Sequence, residues 1–155
     1  MIFEIPGYKT FQITTLVFDY NGTLATDGKL PESIHKRLIQ LSKHYMIYIL
    51  TADTFGSVKK EISNIPCELH IITGEHQAEA KANFIETIQP EFTAAFGNGA
   101  NDVLMLEKTA LGICIIGKEG AFAKALMTAD LVFNEISDAL ECFQQHKRFI
   151  ATLRR

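Results

Sequence analysis

A chain of 155 residues, 47% hydrophobic, is long enough for one domain with a full core and too short for two, so residues 1–155 are expected to form a single unit. The formal net charge of -3 and the scattered basic side chains argue against a nucleic-acid surface, and Arg154-Arg155 reads as a helix terminus complementing its dipole. Cys67, Cys114 and Cys142 suggest neither a disulfide framework nor a zinc site, and no apolar run approaches the roughly 18 residues of a membrane span; a soluble cytoplasmic protein is expected.

Residues 2–5 and 10–13 flank the turn signal Pro6-Gly7 and predict a small hairpin leading into a strand at 14–19. That strand, ending Leu16-Val17-Phe18-Asp19, is an apolar run closed by one carboxylate and followed at once by the polar turn Tyr20-Asn21-Gly22. Asp27-Gly28, a favoured hairpin turn, predicts a short β flap within 21–30. Pro31 opens a helix over about 32–44, with Ile34, Leu38, Leu41 and Tyr45 on one stripe. A second buried strand, 46–50, stops at Thr51. A helix through Val58 and Ile62 follows and ends near Asn64, then a third strand at 69–72.

His76 to Ile88 reads as a helix with Ala78, Ala82 and Ile85 on one face and Lys81 inside it. The fourth strand, Thr93 to Phe96, runs into Gly97-Asn98-Gly99-Ala100-Asn101-Asp102, where Asn101 is expected to cap a short helix over 102–109. A strand at 111–116, a helix at 119–127, a strand at 131–133 and a closing helix from Ser137 through Ala151 complete the pattern. Alternating strands and helices predict an α/β fold with a mainly parallel, Rossmann-like sheet in three layers, helices on both faces. Successive strands joined by helical crossovers share one C-terminal rim, so Asp19, Thr51 and Asn98 should meet at a single crevice with the flap and the glycine loop.

That crevice offers two carboxylates, a lysine, a threonine hydroxyl, side-chain amides and glycine N–H donors. No serine or cysteine stands in a recognisable arrangement with histidine, which leaves acyl transfer with little support. An aspartate can attack phosphorus and form an aspartyl phosphate that water later hydrolyses. Such a site needs positive charge around the transferring group, from lysine and from magnesium held by oxygen ligands; Asp19, Lys81 and Asp102 match that requirement. His70 and His76 are expected as surface or capping groups, Tyr20 as a residue packed beneath the flap or shaping the pocket, and Phe143, Phe149 and Ile150 as core or subunit-interface residues.

Four segments in order resemble the motifs of the haloacid dehalogenase superfamily of phosphoryl-transfer enzymes: Asp19-Tyr20-Asn21-Gly22-Thr23-Leu24, Thr51, Lys81, and Gly97-Asn98-Gly99-Ala100-Asn101-Asp102. The run from Asn98 through Leu106 and the end Ala151-Thr152-Leu153-Arg154-Arg155 are similar to soluble relatives of the phosphorylation domain of P-type ATPases. The resemblance implies that Asp19 is the nucleophile. Thr23, Thr51 and Lys81, with Gly22 and Ala52, would hold phosphoryl oxygens. Magnesium would be bound by Asp19, the backbone carbonyl of Asn21 and the side chain of Asn98, with Asp102 supporting Lys81 and the metal.

Two departures follow from the same comparison. Phosphatases of the family carry Asp at the place of Asn21, where it protonates the leaving group and activates water; Asn does neither, and such help is worth about 10²- to 10⁴-fold. Asn98 likewise stands where a metal-binding Asp is usual, so magnesium affinity should fall. Only 31 residues separate Asp19 from Thr51 and 29 separate Thr51 from Lys81, which leaves no room for a cap domain. The open crevice then implies a macromolecular substrate or an oligomer covering it. The expectation is a slow, magnesium-dependent phosphohydrolase acting on a phosphorylated small molecule or protein. The alternatives are a catalytically degenerate phosphoryl-binding or regulatory module, and a capless sugar-phosphate phosphatase.

Overall fold

The computed structural model describes residues 1–52 and 57–155. Strands β1 (Ile2–Glu4) and β2 (Thr10–Gln12) form the expected antiparallel ribbon. The main sheet is built from β3 (Thr15–Asp19), β4 (Met46–Thr51), β5 (Glu68–Ile71), β6 (Thr93–Gly97), β7 (Leu111–Ile115) and β8 (Leu131–Phe133). Its order is β5-β4-β3-β6-β7-β8 and every neighbouring pair is parallel. The chain starts in the middle at β3, runs outward to β5, then returns to β6 and runs outward the other way. The strand order therefore reverses between β3 and β6, where ligand crevices form in open α/β sheets.

Helices cover both faces. On one lie α1 (Glu32–Leu41), α2 (Ser57–Glu61), α6 (Ile136–Cys142) and α7 (Lys147–Leu153), packed against Leu16, Phe18, Phe96 and Ile113. On the other lie α3 (Gln77–Thr87), α4 (Val103–Lys108) and α5 (Ala123–Thr128), packed against Val17, Leu50, Ala95 and Cys114. Residues 16, 17 and 18 alternate between the two cores, as the two-residue period of a strand requires. Because both faces are buried, β3, β6 and β7 are apolar throughout rather than alternating with polar residues. The described residues hold no cap domain between β3 and α3, and no helix among them is long and apolar enough to cross a membrane.

Several expectations are corrected. The flap is reduced to a single antiparallel bridge, Thr26 to Lys29, with Asp27 at φ 51° and Gly28 at φ 74° in its turn. Helix α1 stops at Leu41, three residues early, and 42–44 form a turn. The helix expected from 119 starts only at Ala123: Gly117 and Gly120 take left-handed φ of 58° and 80°, and the Phe122 N–H donates to the Asn98 carbonyl instead of to a helical partner. Asn101 does not cap α4. It lies inside a 3₁₀ turn, Ala100–Asp102, and its amide donates to Gln77 Oε1 at 3.0 Å.

The closing helix is two helices. Between α6 and α7 the chain turns at 143–146, which brings Phe143 and Phe149 together at 4.9 Å, edge to face, and both against Phe3 of β1. Tyr45 and Phe96 join the same group. A continuous helix would place residues 143 and 149, six apart, on different faces; breaking it buries both. These two phenylalanines are thus core residues of the chain, and Ile150 is partly buried beside them. Phe143→Ala should lower stability by about 3–5 kcal/mol, read as a reduced urea midpoint with an unchanged denaturant slope.

Candidate active site

Asp19 is the last residue of β3, and Gly97, the last residue of β6, leads directly into Asn98. The two strand ends are neighbours, so the crevice at the reversal of strand order begins with these side chains. Lys81 reaches them from the middle of α3 and is fully buried. Its ammonium lies 2.6 Å from Asp19 Oδ1 and 2.7 Å from Asp102 Oδ1. Lys81 shares the buried face of α3 with Ala82 and Ile85, where a lysine is tolerated only because two carboxylates meet it.

Asp102 has no exposed surface and both its oxygens are engaged. Oδ2 accepts the N–H of Asn98 at 3.0 Å and of Gly99 at 2.9 Å, while Oδ1 faces Lys81. This carboxylate therefore folds the glycine loop back on itself and holds the lysine at the same time. A Cβ on Gly97 would lie 2.5 Å from that of Asp102, so only glycine permits the approach.

Thr23 closes the other side. Its hydroxyl lies 3.2 Å from Asp19 Oδ2 and 3.3 Å from Asn98 Oδ1, and it carries one proton for two acceptors. Asn98 is held by its other end: Nδ2 donates to the Gly120 carbonyl at 3.0 Å, which fixes the orientation of the amide. Gly22, at φ 78°, packs against this amide so closely that a Cβ would come within 2.3 Å of Nδ2.

Thr51 ends β4 and is buried. The register pairs Leu50 with Asp19, so Thr51 stands one residue beyond the carboxylate on the adjacent strand. Ala52 follows it, partly exposed, and Asn21 is exposed in the turn after Asp19. The structure thus draws Asp19, Gly22, Thr23, Lys81, Asn98 and Asp102 into one contacting cluster, with Asn21, Thr51 and Ala52 at the same strand-end rim. Tyr20 is completely buried and donates to the Gly28 carbonyl at 3.2 Å, so it packs beneath the flap. His70 faces Glu68 at 3.6 Å and lies tilted against the Phe84 ring, and His76 precedes α3 without a side-chain cap bond.

Gln77 and Gly120 were not singled out from the sequence. Gln77 is one turn before Lys81 on α3, a spacing that offers a signal only once the lysine's role is suspected; the Gly120 carbonyl carries no sequence signal at all.

The electrostatics follow from two carboxylates sharing one ammonium in a buried place. Burial, reinforced by Asp102, pushes Asp19 up to about 7, against the opposing pull of Lys81 and Thr23. Burial opposes charge on Lys81, but the Asp19 and Asp102 carboxylates outweigh it and hold its pKa above the ordinary lysine value. The lysine stays an ammonium, and Asp19 is the group that changes state near neutrality.

Comparison with known proteins follows the same lines. No family model matches the chain. An uncharacterised protein of Methanocaldococcus jannaschii is 40% identical over 79 residues, 48% of this chain and 85% of that protein. A soluble P-type ATPase-like phosphatase from the same organism is 28% identical over 134 residues, 83% of this chain; the chain spans about half (48%) of that protein's length. Among solved structures, the 3-deoxy-D-manno-octulosonate 8-phosphate phosphatase of Moraxella catarrhalis, in complex with magnesium, phosphate and the sugar acid, superposes with a TM-score of 0.70. It shares 14% identity, over 92% of this chain and 94% of that one.

Two outcomes test the charge balance. With its folded pKa raised to about 7, Asp19 binds a proton more tightly folded than unfolded, so its contribution to stability is full below the unfolded pKa near 4 and is lost as pH rises through 7. Asp19→Asn should therefore gain stability over wild type as pH is raised from 5 to 8, measured by urea denaturation at each pH. Lys81→Met leaves two buried carboxylates without their ammonium and should cost about 3–5 kcal/mol at pH 8 by the same assay.

Proposed function

We propose that the chain is a member of the haloacid dehalogenase superfamily and a phosphohydrolase of one domain, residues 1–155, working through a phosphorylated Asp19. The observation that carries this reading is the buried Lys81 ammonium between Asp19 and Asp102 at the reversal of strand order. A purely structural ion pair does not require placement at a strand-end crevice, nor the surplus carboxylate that raises Asp19.

In this reading the ionised Asp19 attacks phosphorus and its bond to phosphorus forms as the bond to the leaving oxygen breaks. Lys81 holds Asp19 in place and offsets the charge that gathers on the phosphoryl oxygens, which Thr23, Thr51 and the Gly22 and Ala52 positions surround. Asp102 is a positioning residue: it keeps Lys81 aimed and the Asn98–Gly99 amides folded inward. Asn21, exposed after the nucleophile, has a hydrogen bond to offer the leaving oxygen but no proton to give it. Leaving groups that depart without protonation, in acyl and aryl phosphates, are the favoured substrates, and hydrolysis of the aspartyl phosphate is slow.

The donor set suits a hard cation. Asp19 Oδ2 and Asn98 Oδ1 converge on one hydroxyl proton, an acceptor-rich point, and the Asn21 carbonyl is the third oxygen the motif supplies. Among the described residues no group of three His, Cys, Asp or Glu side chains gathers, so the ion would be held by few protein ligands; magnesium, which keeps several waters, fits best. Bound there, it would supply positive charge next to the phosphoryl oxygens. The three cysteines are free, in keeping with a reducing cytoplasm.

A second reading, a phosphoryl-binding module without useful turnover, draws support from Asn98. Its amide is committed to the Gly120 carbonyl, a bond an aspartate at this place could not make. Hydrolysis of acetyl phosphate and of an aryl phosphate, with and without magnesium, separates the two. The hydrolase reading predicts magnesium-dependent turnover abolished in Asp19→Ala and raised about 10²-fold or more toward alkyl esters in Asn21→Asp. Absence of turnover in both wild type and Asn21→Asp would leave the binding module. Asn98→Asp should tighten magnesium binding at least about tenfold by calorimetry while losing the Gly120 hydrogen bond, at about 1–2 kcal/mol of stability.

A further inference from the structure

Beside the Asp19 crevice lies a cavity of about 430 Å³ that shares only Gly22 and Thr23 with the hydrolytic machinery. Its size is that of a small-molecule pocket. Leu24, Leu30, Ile34, Ile115 and Ile136 give it an apolar floor. Its rim carries Lys29 and Lys118, the hydroxyls of Ser33 and Ser137, and a single acid, Glu135. Neither lysine has an ion-pair partner among the described residues, so both ammonium groups are available to a ligand in the cavity. An apolar floor under a rim of net positive charge fits an anion with a ring-sized apolar body.

The cavity is also wired to the crevice. Gly22 and Thr23 belong to both, and Thr23 presents its hydroxyl to Asp19 and Asn98. Gly117 and Lys118, on the opposite wall, begin the loop whose Gly120 carbonyl holds the Asn98 amide and whose Phe122 N–H donates to the Asn98 carbonyl. The same loop fastens the flap, through the Asp27 N–H donating to Glu119 Oε1 at 3.0 Å. Anything that fills the cavity touches both loops that position Asn98 and Thr23.

We propose that this cavity binds a small organic anion, a carboxylate or phosphate on an apolar ring-sized body held by Lys29 and Lys118, and that its occupancy is felt at Thr23. Binding stands on the cavity alone; the coupling rests on the hydrolase reading above. The anion comes either as the far end of the phosphorylated substrate or as a separate small molecule, and the test distinguishes the two.

The probe is benzoate, with neutral benzamide as control, titrated into the full chain and followed by amide NMR. Benzoate should shift Thr23, Lys29, Gly117 and Ser137 saturably, benzamide should bind at least about fivefold more weakly, and the Lys29→Ala/Lys118→Ala double variant should lose roughly five- to tenfold in benzoate affinity. No saturable shift at these amides, equal binding of benzamide, or an unaffected double variant would overturn the site. None of these readouts needs catalysis, so they hold whether or not Asp19 turns over.

The coupling is read with phenyl phosphate and 4-carboxyphenyl phosphate. A KM advantage of the carboxylated ester that vanishes in the double variant, with phenyl phosphate hydrolysis unchanged, assigns the cavity to the substrate's far end. Benzoate that changes the maximal rate on phenyl phosphate without competing assigns it to a separate ligand. Benzoate bound at these amides with both sets of kinetics unmoved would overturn the coupling.

Discussion

One buried ammonium shared by two carboxylates sets the terms for the rest of the site. Lys81 has no contact with water, and its 2.6 and 2.7 Å contacts to Asp19 and Asp102 supply the compensation that a charge so placed needs. Three elements must agree for this to happen: β3 has to end at Asp19, α3 has to turn residue 81 inward, and the loop after β6 has to fold Asp102 back under its own amides. Removal of the lysine would leave two like charges buried together. Because the group carries one carboxylate more than it has cations, the surplus falls on Asp19, the member nearest the opening, and raises it toward neutrality. On the hydrolase reading, the same imbalance that costs stability would prepare the crevice for a cation and a phosphoryl group, a trade expected of a functional site.

The two asparagines have unlike surroundings. Asn21 is exposed in its turn, its backbone bridged to Ala25, and its side chain lies at the crevice rim rather than in the core. Asn98 is enclosed: Thr23 on one side, the Gly120 carbonyl on the other, Gly22 packed against the amide. An amide at this place is used as a donor and an acceptor together, which a carboxylate cannot match. Asn98 is therefore both a potential oxygen ligand and a structural tie between the β6 loop and the segment 117–122.

Much of this was legible from the chain. The strands at β3, β4, β6 and β7 announce themselves as apolar runs because parallel strands in the middle of a sheet are largely buried on both faces, and Asp19, Thr51 and Asn98, which end or directly follow the first three, mark the rim. Lys81 could be placed by its interval from Thr51, and its position four residues before Ile85 puts it on the same stripe as Ala78, Ala82 and Ile85, the face that α3 buries. What was not legible depends on distant contacts. The break between α6 and α7 is set by Phe3, more than a hundred residues earlier in the chain, drawing in Phe143 and Phe149. The late start of α5 reflects Gly117 and Gly120 together with a bond to Asn98 across the crevice. Asn101 has the composition of a cap, yet a partner on another helix, Gln77, takes its amide.

The central claim is that Asp19 accepts a phosphoryl group. Its most direct test is to expose the protein to radiolabelled acetyl phosphate with magnesium, quench in acid, digest, and map the label. The account predicts a single labelled peptide containing Asp19, with the label released by alkali, absent in Asp19→Asn and longer-lived in wild type than in Asn21→Asp. A protein that takes up no label, or takes it up equally in Asp19→Asn, would contradict it.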